Sequence, residues 1–351
     1  MHTRRDFLKV GLGGVAVAGL GSRGFGSVVA DTARSTDSAS VDGAHRALVV
    51  IQLSGGNDGL NTVIPLANDL YHAARPMIGI RNPLQLNEGF GLNPSMQGFK
   101  ELFDEGHLAI VHGCGYPRPN RSHYKALEIW HTANPLEHQR TGWLGAFLDR
   151  LPGRDVAAVN FGREVPQALV GHRERYVHWP AGIDGTPIAP DAAGLDASLE
   201  TIRECLTARF APRVFYCQVS GFDTHANQAG QHDALLGRVS ASIRSFYQDL
   251  VVRGLNERVL VLSFSEFGRR VSENSSCGTD HGAAGPMFLV GGKVRGGFHG
   301  THSSLSDLDD GDLKYTTDFR RVYATVLEDW LGVNSTSILK RRFEPMALLE
   351  S

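Results

Sequence analysis

The apolar positions of this chain fall in short, nearly continuous runs. Ala47-Leu48-Val49-Val50-Ile51-Gln52-Leu53 is rich in β-branched residues and lacks polar alternation, the pattern of a strand covered on both faces. It runs into Ser54-Gly55-Gly56-Asn57-Asp58-Gly59, a loop of residues that tolerate turn dihedrals. Comparable runs at Leu108–Val111, Val214–Val219, Val259–Phe264 and Met287–Val290 each lead into a glycine or a polar cluster. Between them, Leu235 to Val252 and Phe319 to Leu331 carry helical spacing, with Phe319, Val322, Tyr323, Val326, Leu327 and Trp330 recurring on one face. This alternation predicts an α/β fold, a three-layer α/β/α sandwich on a mostly parallel sheet, with its ligand site at the carboxyl ends of the strands. One domain is expected over 45–351, with an elaborated loop region near 153–199, where Pro, Gly and Asp are frequent and no period holds.

The amino terminus follows a different rule. Thr3-Arg4-Arg5-Asp6-Phe7-Leu8-Lys9 precedes an uncharged stretch from Val10 to Leu20 that is interrupted by four glycines. That layout is a twin-arginine export signal. The stretch falls short of the roughly 20 strongly apolar residues of a spanning helix, so no stable membrane anchor is expected. Val28 and Ala30 place cleavage after Ala30, leaving a signal over 1–30 and a flexible leader over 31–44. The expected destination is the periplasm or the extracellular space, with the Tat translocase as a partner during export.

Composition narrows the function. A formal charge of −2 over 351 residues, with no long like-charge block, argues against nucleic acid as a partner. Cys114, Cys205, Cys217 and Cys277 form no Cys-x-x-Cys pair and read as core residues; if one bridge forms after export, spacing does not choose its partners. Gly55-Gly56 lacks the third glycine of a dinucleotide fingerprint, which disfavours a nicotinamide cofactor.

Chemistry concentrates at Asp58, at Asp223 with His225, at Glu266, and at Asp280 with His281, each near the end of a predicted strand. Parallel strands would gather these groups around one or two cations. Mixed carboxylate and imidazole donors suit zinc, manganese or iron better than calcium. His123, His131 and His138 read as surface or structural histidines. Ser122 also suits a helix N-cap, Asp58 a turn, and Arg269 and Arg270 structural ion pairs.

Ser54-Gly55-Gly56-Asn57-Asp58-Gly59-Leu60-Asn61, Arg121-Ser122-His123-Tyr124, Gly221-Phe222-Asp223-Thr224-His225, Ser265-Glu266-Phe267-Gly268-Arg269-Arg270 and Gly278-Thr279-Asp280-His281-Gly282 together resemble the exported bacterial family called domain of unknown function 1501. The resemblance spans nearly the whole mature chain. It implies the alkaline-phosphatase-like superfamily, with sulfatases and cofactor-independent phosphoglycerate mutases, and a metal-hydrolase ancestry. On this resemblance Asp58 is a metal ligand, Ser122 the nucleophile opening a helix, and Asp223 with His225 a later ligand pair, for which His232 is a substitute. The next motif has two counterparts. In the preferred one Glu266 takes an Asp position, Phe267 stands where a His ligand is expected, and His281 is the final His. In the other Asp280-His281-Gly282 is the motif, and His299 or His302 comes last. Arg121, Arg269 and Arg270 are the expected contacts to nonbridging oxygens. The implied function is an exported metal-dependent hydrolase of phosphate or sulfate esters, small or polymer-borne. The alternative is a noncatalytic periplasmic binding or assembly module on the same fold, which Phe267 favours.

Overall fold

Along the first strand, β1 (Ala47–Ser54), side chains alternate between two cores: Val49, Ile51 and Leu53 enter one, Leu48 and Val50 the other. Successive side chains of a strand point to opposite faces, so a run apolar at every position calls for a layer on each side. The computed structural model describes residues 46–153, 156–162, 164–179, 191–207 and 212–350. The expected signal and leader over 1–44 lie outside the described residues.

The strands are β2 (Val63–Pro65), β3 (Leu84–Gln85), β4 (Phe90–Leu92), β5 (Leu108–Gly115), β6 (Ala158–Asn160), β7 (Tyr176–His178), β8 (Val214–Ser220), β9 (Val259–Phe264), β10 (Gly285–Val290), β11 (Gly297–His299), β12 (Leu308–Asp309), β13 (Asp312–Leu313) and β14 (Thr317–Asp318). The main sheet has the order β11-β5-β10-β9-β1-β8-β6-β7, and β14 pairs with β5. β1 is parallel to both β8 and β9, whereas β10 runs antiparallel to both β9 and β5. The expected strands at 108–111, 214–219, 259–264 and 287–290 are all present, and the sheet is mostly parallel.

The helices are α1 (Asp69–Ala74), α2 (Gln97–Asp104), α3 (His123–Thr132), α4 (Trp143–Leu148), α5 (Ala192–Thr207), α6 (Gln228–Val252), α7 (Phe319–Thr325) and α8 (Thr336–Leu339). Phe99 of α2, Leu199 of α5 and Ile243 of α6 fill one core; Trp130 of α3, Phe147 of α4 and Tyr323 of α7 fill the other. The layers are therefore helix, sheet, helix. No helix among the described residues is long and apolar enough to cross a membrane. All four cysteines are free thiols, three of them buried.

Two expectations need correction. The segment near 153–199 is not only loop: β6 and β7 extend the sheet from β8 in parallel register, and α5 begins within it. Three-residue strands are too short to show a period. The apolar stripe from Phe319 to Leu331 is also not one α-helix, because α7 passes into a π-helical turn at Val326–Trp330. There the Trp330 indole donates to the Ala47 carbonyl at 3.0 Å, which ties the turn to the start of β1.

Candidate metal centre

Four polar side chains meet at one end of the sheet. Asp223 and His225 lie in the loop after β8, His281 lies just before β10, and His123 is the first residue of α3. His281 reaches this end because β10 runs antiparallel: its start, not its finish, lies beside the carboxyl end of β9. Phe222, fully buried, anchors the β8 loop. Gly278 lets the chain cross it closely, since a Cβ there would come within 2.3 Å of the His225 carbonyl carbon.

His123, Asp223 and His281 each offer a donor atom, all within 4.8 Å of one another. His225 adjoins them, its Nε2 3.0 Å from His281 Nε2 and 3.0 Å from Asp223 Oδ1. His281 Nε2 is also 3.0 Å from Asp223 Oδ1, and His123 Nε2 is 3.5 Å from Asp223 Oδ2.

The opposite ring nitrogens determine which protons are present. Nδ1 of His123 donates to Glu266 Oε1 at 2.8 Å, Nδ1 of His225 to Asp280 Oδ1 at 3.1 Å, and Nδ1 of His281 to the Arg121 carbonyl at 2.8 Å. Carboxylate and carbonyl oxygens only accept, so each Nδ1 carries a hydrogen and each neutral ring turns an Nε2 lone pair inward. Buried His123 Nε2 has no hydrogen-bond partner among the described residues. Lone pairs facing each other and a carboxylate at such distances repel unless a proton or a metal cation sits among them. Nitrogen ligands at about 2.0–2.1 Å from tetrahedral zinc lie about 3.3 Å apart, close to the separations here. An acceptor on the far nitrogen of each histidine is the usual outer support of a metal-binding imidazole. The donor set fits a divalent ion.

Arg269 assembles the loops behind this group. Its buried guanidinium donates to the carbonyls of Gly55, Gly56 at 2.7 Å, Thr279 at 2.7 Å and Phe222 at 3.0 Å, and to Asp223 Oδ1 at 2.7 Å. Burial alone would raise the Asp223 carboxyl, but the Arg269 guanidinium outweighs it and holds it down at about 2. The Glu266 carboxylate, through its hydrogen bond, lifts His123 above the ordinary imidazole range despite burial.

The structure redistributes the expected roles. Asp58 is 0 % exposed and faces away from the imidazoles: Arg75 donates to its Oδ2 at 2.6 Å, Gln228 donates at 2.5 Å, and its Oδ1 caps the turn at Leu60 and Asn61. A guanidinium thus meets the charge expected to meet metal. Glu266 and Asp280 stand behind His123 and His225 as acceptors, not among the inward-facing donors. His232 bonds Asn57, His299 bonds the Arg295 carbonyl, and His302 packs against His112 and Phe90, so these three stand with other partners. Arg269 is a scaffold for loops, and Arg121 and Arg270 pair with Asp310 and Asp312, leaving none of the three as a free anion clamp. Ser122 is the exposed N-cap of α3, but its side chain makes no capping bond. His123, expected as a surface or structural histidine, stands beside Asp223 and His281 in this group, and its place inside the Arg121-Ser122-His123-Tyr124 motif is the sequence signal that points to it. Phe267, in the expected His position, packs its ring against His123 and His281 at centroid distances of 4.9 and 4.6 Å.

Residues 186–342 match the family described as "Protein of unknown function (DUF1501)". That region of the chain is similar to the DUF1501 family. It holds Asp223, His225, Glu266, Asp280 and His281; His123 and Asp58 come from the half that precedes it. No curated protein matches the sequence. Among solved structures, a protein of the alkaline phosphatase superfamily from Vibrio parahaemolyticus is similar at 11% identity, covering 91% of this chain and 78% of that one, with a TM-score of 0.46. The lipoteichoic acid synthase LtaP from Listeria monocytogenes is similar at 10% identity, covering 90% and 81%, with a TM-score of 0.46. A putative sulfatase from Bacteroides thetaiotaomicron is similar at 10% identity, covering 87% and 76%, with a TM-score of 0.44.

Proposed function

We propose that this chain is an exported hydrolase of phosphate or sulfate esters that works with one divalent ion held by His123, Asp223 and His281, with His225 adjoining. The observation that carries the reading is the inward convergence of imidazole Nε2 atoms on one carboxylate, each backed by an acceptor on Nδ1. Zinc, manganese or iron bound there would supply a Lewis acid for an ester oxygen. A single ion is favoured over two because Arg75 already neutralises Asp58.

The chain's own residues supply the remaining parts. Glu266, Asp280 and the Arg121 carbonyl fix the ring orientations by holding each Nδ1, which turns each Nε2 toward the ion. Arg269 keeps Asp223 ionised and in place. Ser122, exposed and free of a capping bond, would act as the nucleophile from the start of a ten-residue helix, where the first-turn N–H groups favour an anion. Phe267 walls one side of the imidazoles against water. Phosphoryl and sulfuryl transfer depend on such positioning and charge neutralisation more than on covalent help. The twin-arginine motif at Arg4-Arg5 supports export of the folded, loaded protein.

Elemental analysis of the mature protein, purified without chelator, tests the centre: about one equivalent of zinc, manganese or iron is expected. Absence of metal even after reconstitution overturns the reading. Metal without turnover of any phosphate or sulfate ester supports the second reading, a noncatalytic binding module, which the phenyl ring of Phe267 in a ligand position favours.

A further inference from the structure

Beside the imidazole centre lies an open cavity of about 700 Å3. Two residues join them. Phe267 lines the cavity and packs on His123 and His281. Arg121 lines it too, with its carbonyl on His281 Nδ1 and its guanidinium on Asp310 and Asp312. This volume lies within the range of small-molecule sites, about 300–1,000 Å3. It greatly exceeds what a phosphate or sulfate group occupies, so something larger belongs there.

The wall has unmet hydrogen-bonding capacity of both kinds. Asp312 is 2 % exposed; its Oδ2 accepts from Arg121 at 2.8 Å, but its buried Oδ1 has no hydrogen-bond partner among the described residues, with Arg270 Nε 3.9 Å away. A buried acceptor left in this state calls for a donor. Arg118 sits between Pro117 and Pro119 with a left-handed φ of 57°, a conformation costly for a side chain with a Cβ. Among the described residues its guanidinium has no hydrogen bond or ion pair. The loop that carries it is pinned where the Tyr116 hydroxyl accepts from Asn120 N at 3.1 Å. Tyr315, 38 % exposed, is seated on Gly115, where a Cβ would come within 2.8 Å of its own. Formal charges on the wall cancel: Arg118, Arg121 and Lys314 stand against Asp309, Asp310 and Asp312.

A neutral ligand with both donors and acceptors, and with an apolar face for an aromatic ring, matches this wall. We propose that the cavity takes the alcohol side of the ester, a neutral polyhydroxylated group such as a sugar residue. Asp312 Oδ1 accepts from one hydroxyl, Arg118 donates to another, and Tyr315 packs on the ring face. The proposal rests on the hydrolase reading for the ester, whereas recognition of the sugar stands on the cavity alone.

The test is binding of the mature, metal-loaded protein to an array of neutral glycans, with affinities of retained glycans measured by calorimetry. Retention of a glycan, weakened about tenfold or more by Tyr315→Ala and by Arg118→Ala, is expected from the loss of a stacking contact or a charged hydrogen bond. Both side chains are exposed, and metal content should equal that of the wild type in both variants. No retained neutral glycan, or affinities unmoved by both substitutions, overturns the proposal. The two readings fail differently. Glycan binding without turnover of any glycan-borne ester counts against the hydrolase, and turnover of p-nitrophenyl phosphate or sulfate without glycan binding counts against the cavity.

Discussion

Replacing Glu266 by glutamine isolates what its charge does. Glu266 is 1 % exposed, its Oε1 accepts from Gly55 N at 2.9 Å and from His123 Nδ1 at 2.8 Å, and its Oε2 accepts from the Ser265 hydroxyl at 3.2 Å. A glutamine carbonyl can keep the first two bonds, and its amide can donate to Ser265, so shape and satisfaction survive while the charge is lost. His123 Nδ1 then faces a weaker acceptor, and Nε2 becomes a weaker base. Loss of an outer carboxylate behind a ligating histidine typically weakens metal binding by about 10–100-fold, equivalent to about 1.4–2.8 kcal/mol. Competition titration against a chromophoric chelator reads the affinity directly, and a thermal melt in excess chelator shows whether the apoprotein fold is unchanged. Wild-type affinity in Glu266→Gln would refute the coupling through His123. Complete loss of metal, equal to that of His123→Ala, would instead place Glu266 in direct contact with the ion.

Other expectations follow from neighbouring groups. Arg75→Met leaves the Asp58 carboxylate buried without its cation and should cost about 3–5 kcal/mol in urea unfolding; an unchanged midpoint would mean the pair is not closed in solution. Burial raises the Asp58 carboxyl but Arg75 outweighs it and holds it low, so the pair's contribution is full above the ordinary carboxylate range and fades as pH falls below it. His131, buried against Gln52 and Tyr216, is pushed down by burial from 6.5 to about 4. Its contribution is full above pH 6.5 and is lost on acidification toward pH 4, about 3 kcal/mol in all; a flat unfolding free energy across that window refutes it. Ser122→Ala should abolish ester turnover with metal content intact, and retained turnover removes Ser122 as nucleophile. Asp223→Asn should release the metal, as measured by elemental analysis after dialysis.

The central strands were legible because their signal is local. A run such as Val259–Phe264 is apolar at every position, and burial on both faces requires that wherever the strand lies in the sheet. The end of the sheet that carries the chemistry was legible for the same reason, since Asp223, His225, Glu266 and His281 all flank such runs. Which of these atoms face one another was not in the sequence. His123 lies 100 positions from Asp223, and only the packing of α3 over that end of the sheet brings it to the carboxylate. Asp58 and Glu266 have the same chemistry, yet one meets Arg75 and the other meets His123, 143 positions away. The direction of β10, which delivers His281, is likewise set by pairing with β9 and β5. Propensity and periodicity act over a few residues and so determine elements; a metal centre depends on angstrom-scale placement of atoms from distant segments, which only the closed tertiary fold decides.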